Sequence, residues 1–186
     1  MDCPKHLLLA PDIAQVLEFP IGGTTYEDVT DILIKEYVTK LDNYFSQVGI
    51  KQVGFNTFRL PRELVRNAYS HRTQKDSAIA FGVFLSPERA VVGCNDGGDY
   101  FKDQKIKFLW ENKIPVASKG PQYDEAGQFV SGLNNGNRMI YGMTDEVFID
   151  SETGTFFGMF DPRAYNLSGE RLEEIIKGRV RPKAKL

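Results

Sequence analysis

The chain has 186 residues, 41% of them hydrophobic and 26% charged, with a formal net charge of -2. That length suits one substantial domain and is short for two, and the composition is ordinary for a globular chain that buries a core. The near-neutral balance gives no reason to expect nucleic acid or an acidic membrane as the main partner, and no apolar run approaches the ~18 residues of a membrane-spanning helix.

Cys3 and Cys94 are too few for a disulfide scaffold and lack metal-ligand spacing. The stretch "HLLLAP" is too short for a secretion signal, so the expectation is a cytoplasmic, reducing compartment. Only the tail is basic, through Lys177, Arg179, Arg181, Lys183 and Lys185, and such a run reads as a solvated chain end.

In chain order, residues 1–23 form an irregular segment with one strand around "AQVLEFPI". Residues 25–48 follow as a long amphipathic helix, with Val29, Ile32, Leu33, Tyr37, Leu41, Phe45 and Val48 at three-to-four spacing and Gly49 as its stop. "IKQVGFNTFRL" is rich in β-branched and aromatic residues and reads as a strand, with Pro61 opening a second helix over 61–73. "SAIAFGVFLS" and "RAVVGCND" read as a hairpin turned at Pro87-Glu88. A short helix near "QKIKFLWEN", a loop over 118–127 and a helix over 136–142 come next. "DEVFIDSETGTFFGMF" then reads as a second hairpin, turned at Thr153-Gly154, and "SGERLEEIIKGR" as a terminal helix capped by Ser168. The order predicts an α+β, two-layer sandwich with helices on one face of a mixed, mostly antiparallel sheet. The divisions are an irregular segment at 1–23, a core over 24–165 and a helix with basic tail over 166–186.

Three stretches carry residues suited to chemistry. In "ELVRNAYSH", Glu63, Asn67 and His71 recur every four residues and share one helix face, drifting ~40° per step. Taken alone, that stripe reads as a solvated face. Asparagine is nevertheless a poor residue in mid-helix, and its amide oxygen is a good hard ligand for Mg²⁺. In "VVGCNDGGDYF" a β-rich run ends at Asp96 and two glycines, which is either a plain turn or a carboxylate at a pocket edge. In "SGLNNGNRMIYG" glycines and asparagines precede a helix, as a phosphate-binding N-terminus or an ordinary cap would require.

The order and spacing of these stretches resemble the histidine-kinase-type ATPase (GHKL) superfamily over about residues 50–160. "ELVRNAYSH" resembles its N-box, "NDGGDYF" its first glycine box, "NNGNRM" its second, and "DEVFIDSETGTFFGMF" its closing hairpin. The E-x-x-x-N-A-x-x-H form, the compact size and "TDEVFID" look most like the anti-sigma-factor serine/threonine kinases. The resemblance implies a Bergerat-type ATP-binding fold that takes ATP or ADP with Mg²⁺. Asn67 would bind the metal and Glu63 would act as the base. Asp96 would accept from the adenine amine and Gly98 would pack under the ring. Gly136, Asn137 and Arg138 would lie near the phosphates, and Thr155 near the adenine through water. Residues 99–135 would form a lid, and the partner would be a sigma-factor-like or antagonist-like regulatory protein, with room for a homodimer. His71 matches the end of the motif without a chemical role.

The sequence departs from that pattern at two places. Tyr100 stands where the first box has its second glycine, and Asn134, Asn135 and Gly136 replace the glycine-leucine-glycine of the second. These departures keep open a degenerate nucleotide-sensing or purely protein-binding module of the same fold. A sensor histidine kinase fits poorly, because the chain has only His6 and His71. A gyrase-type ATPase fits less well still, for want of a transducer domain.

Overall fold

The computed structural model describes residues 1–8, 10–19, 43–44, 46–49, 54–71, 78–116, 122–123, 129–131 and 135–161. Five strands form one open sheet: β1 (Ile13–Phe19), β2 (Ile79–Leu85), β3 (Ala90–Asn95), β6 (Glu146–Asp150) and β7 (Thr155–Phe160), in the order β1-β2-β3-β7-β6. Two short strands, β4 (Gln122–Tyr123) and β5 (Phe129–Ser131), pair separately. Helices α1 (Gly54–His71), α2 (Gln104–Glu111) and α3 (Asn135–Met143) and a 3₁₀ turn (Tyr100–Lys102) are described along their length. The α+β class stands. Every pairing in the five-stranded sheet is antiparallel, so the expected parallel component is absent among the described residues.

Both hairpins follow local chemistry. Between β2 and β3, the Ser86 hydroxyl accepts from the Arg89 N–H at 3.1 Å and closes a tight turn over Pro87-Glu88. Between β6 and β7, Gly154 takes φ +74° and its N–H donates to the Asp150 carbonyl at 2.8 Å. A side chain at 154 would be strained by that φ, and its Cβ would lie 2.9 Å from the Gly98 carbonyl oxygen. The first glycine-rich stretch and the last turn are thus in direct backbone proximity.

Alternation along the strands sends side chains to two apolar layers. Phe81, Val83, Val92, Cys94, Ile149 and Phe156 lie in the main core with Leu60, Leu64 and Val65 of α1, Trp110 of α2 and Ile140 of α3. All three described helices therefore cover the same face. Burying Leu60 and Leu64, one helical turn apart, contributes roughly 1.5–3 kcal/mol each. On the other face Phe84, Val91, Phe157 and Met159 pack with Leu7, Met1, Cys3 and Leu8. The segment expected to be merely irregular is what covers this second face. It turns back on itself where Leu7 N–H donates to the Pro4 carbonyl at 2.9 Å. Cross-strand partners Gly82 and Gly93 make a hollow for the Met1 sulfur, since a Cβ at either would lie 2.9 or 2.7 Å from it.

One expected element changes type. Residues 54–60 are the first turns of α1, where a strand was expected, and Pro61 lies inside the helix, where a start was expected. Their β-branched and aromatic content suits a strand, but Leu60, Leu64 and Ala68 are all buried at a four-residue step, and that burial selects the helix. Pro61 removes one backbone donor without ending it.

Elsewhere the expected boundaries are close. Helical residues 43–44 and 46–47 end at Gly49, which has φ +75°. The rest of the helix expected over 25–48, the terminal helix and the basic tail lie outside the described residues. Cys3 and Cys94 are free thiols, and no described helix is long and apolar enough to cross a membrane.

Candidate functional site

Helix α1 packs against the sheet and, along another side, against α3. On the sheet side, the Cys94 thiol of β3 reaches the Leu64 carbonyl at 3.9 Å. On the other side, the Asn67 amide nitrogen donates to the Asn137 side-chain oxygen of α3 at 3.5 Å, across 70 positions of sequence. A helix clamped on both flanks has little wet surface. Glu63, four residues before Asn67, is 5% exposed, which overturns the solvated-face reading of this stripe at that residue. Asn67 is half-buried, as are Arg62 and Arg66. His71 is the last residue of α1, and its side chain lies outside the described set.

Asp96 immediately follows β3 and is 8% exposed. Its Oδ1 accepts from the Gly98 N–H at 2.9 Å, the Asx turn that an Asp-Gly-Gly stretch favours. The turn reading of Asp96 is therefore realised, and the carboxylate is buried as well. Gly97 takes φ +71°, and its N–H donates to Asn95 Oδ1 at 2.7 Å. Gly98 is buried beneath the β6–β7 turn. Burial pushes the Cys94 thiol well above its ordinary range, and the nearby Asp96 carboxylate adds to that.

Thr155 is the first residue of β7. Its neighbour Phe156 pairs with Cys94 and shares the helix-covered face. Strand alternation puts Thr155 on the opposite face, together with Asn95 and its own partner Asp150. There Thr155 Oγ1 accepts from Asn95 Nδ2 at 2.8 Å and lies 2.8 Å from Thr153 Oγ1, which donates to Asp150 Oδ2 at 2.6 Å. The structure thus joins Thr155 to a turn-locking network and does not bring its hydroxyl to the Cys94 side. Asn95, unmarked in the sequence reading, is the hub of that network, and the Asn-Asp pair at a strand end was its only signal.

The first part of the stretch expected as a lid, 99–135, is described as far as residue 116. Tyr100 and Phe101 lie in a single 3₁₀ turn before α2, and Asp103 caps α2 by accepting from Lys105 N–H at 2.7 Å and Ile106 N–H at 3.2 Å. Trp110 is 4% exposed and packs edge-on against Phe101, Tyr141 and Phe156 at centroid distances of 5.4, 5.3 and 5.4 Å. Trp110 is thereby part of the core, with Tyr100, Phe101 and Ile106 partly buried against it. Tyr100 belongs to the same cluster, its hydroxyl accepting from Trp110 Nε1 at 3.4 Å. Most of 117–134, the remainder of that lid, lies outside the described residues.

Gly136, Asn137 and Arg138 occupy the first turn of α3, and Asn137 and Arg138 are half-buried. Among the described residues no group of three or more His, Cys, Asp or Glu is arranged to hold a metal ion. Compared with known proteins, the chain matches no family model, and neither a curated protein nor a solved structure matches it.

Proposed function

We propose that the chain is a cytoplasmic ATP-binding regulatory protein of Bergerat-type fold, a Mg²⁺-dependent serine/threonine kinase acting on a protein partner of sigma-factor or anti-sigma-antagonist type. The observation that carries this reading is the Asn67–Asn137 contact, which brings the helix of the first motif against the helix of the third. Glu63, one turn before Asn67, and Asp96, just after β3, are both buried, which suits side chains that face a closed pocket. In this reading Asp96 accepts from the adenine amine, Gly98 leaves room for the ring, and Arg138 and the first turn of α3 face the phosphates. Asn67 holds the cation. When bound, magnesium would offset charge on the transferred phosphoryl group. Glu63 orients the incoming hydroxyl and takes its proton as that oxygen bonds to phosphorus and the bond to ADP breaks.

The second reading is a protein-binding module of the same fold that senses nucleotide or has lost it. Tyr100 in the aromatic cluster and Thr155 on the far face favour it, because both depart from the nucleotide pattern. Thermal shift with ADP and Mg²⁺ on wild type and Asp96→Asn decides between them. The kinase reading expects a shift in wild type that Asp96→Asn largely removes, and no shift in wild type would sink it. Glu63→Gln should then retain binding while cutting phosphate transfer by roughly 10²–10⁴-fold. Transfer that is undiminished would remove Glu63 from the chemistry.

A further inference from the structure

The side chains that join α1 to α3 have opposite polarity left over. An amide has a donor end and an acceptor end. Asn67 gives its nitrogen to Asn137, so its Oδ1 is turned away from that contact. Asn137 gives its oxygen, so its Nδ2 is turned away in turn. Among the described residues this is the one side-chain hydrogen bond shown for either amide. Both are half-buried, where water has only partial access. One turn before Asn67 on the same stripe lies the buried Glu63.

We infer that Asn137 is a positioning residue for Asn67, and that the pair reads a cation-bridged polyphosphate. Asn137 holds the Asn67 amide so that its oxygen is presented to the divalent cation. Its own Nδ2 is then directed to a phosphate oxygen of the same ligand. This rests on the nucleotide reading above and adds an assignment of polarity within it. The side-chain donor also suits the second box of this chain, in which Asn134, Asn135 and Gly136 replace glycine-leucine-glycine immediately before Asn137. With fewer small residues for close backbone approach, a side-chain N–H reaches the oxyanion.

The test is thermal shift of the full chain with ADP while Mg²⁺ is titrated, for wild type, Asn137→Ala and Asn137→Asp. Asn137→Ala, which frees the Asn67 amide to rotate, should raise the Mg²⁺ midpoint about tenfold or more. Asn137→Asp keeps an acceptor for Asn67 and should leave that midpoint within about threefold of wild type. The same variant loses the donor and sets a carboxylate against the phosphate, so ADP affinity should fall roughly tenfold at saturating Mg²⁺. A wild-type Mg²⁺ midpoint in Asn137→Ala overturns the inference and leaves the nucleotide reading standing. So does unchanged ADP affinity in Asn137→Asp, the variant that carries the test if Asn137→Ala melts early without ligand. No ADP shift in wild type overturns both.

Discussion

Asp150 shows how a single side chain sets the geometry around the first glycine-rich stretch. It accepts from the Thr153 hydroxyl at 2.6 Å and the Glu152 N–H at 3.1 Å, and through Thr153 it anchors Thr155 and Asn95. The Thr153 hydroxyl holds the Asp150 carboxyl below its ordinary value, against a smaller upward push from burial. A carboxylate whose pKa is depressed by folding stabilises the native state above its unfolded value, and that contribution is lost as pH falls through its folded value. Asp150→Asn should therefore lower the urea midpoint at neutral pH, with the gap to wild type closing as pH drops through the acid range. A gap that is constant with pH would show that the charge does no stabilising here. The sequence displayed "TGT" as a turn, but which way Thr155 faces depends on register with β3, and register is a property of two distant strands.

At the scale of elements, α2 both fills the core and protects a sheet edge. Among the described strands β6 lies at an edge of the sheet, and an edge strand carries backbone groups with no ladder partner. The Glu111 carboxylate of α2 takes one of them, accepting from the Ile149 N–H at 2.9 Å, while Lys107 sits 3.9 Å from Glu111 and over the Phe148 ring at 5.4 Å. Glu111→Ala should cost about 1–3 kcal/mol by leaving a half-buried N–H unmatched, and Glu111→Gln should recover most of that. Denaturation followed by fluorescence of Trp110, the chain's one tryptophan, measures both, and equal loss in the two variants would refute the capping role. The helix itself was legible as "QKIKFLWEN". Its place in the core was not, because an amphipathic period gives the apolar stripe and leaves its partner unspecified.

For the whole molecule, the sheet is roofed by helices on one face and by residues 1–8 on the other. Leu7 is 6% exposed over that second face, the Arg89 guanidinium donates to its carbonyl at 3.4 Å, and the His6 ring meets Phe148 edge-on at 4.8 Å. Leu7→Ala should destabilise the protein by roughly 2–3 kcal/mol and increase dye binding to the uncovered apolar face. A variant as stable as wild type would mean that the segment lies loosely on the sheet. No sequence rule marks this cover, since "HLLLAP" is too short and irregular to register as an element.

Local chemistry in the sequence determined the α+β class, both hairpins, the ends at Gly49 and Gly154, and helices α2 and α3 to within a residue or two. These features rest on neighbours a few positions apart, through periodicity, caps and positive-φ glycines. Tertiary packing decided what depends on residues far apart. It made 54–60 helical around buried Leu60, put Thr155 on the face opposite Phe156, seated Trp110 in the core, and set Asn67 against Asn137. Burial and strand register emerge only once distant segments meet, and they override local preference wherever the two conflict.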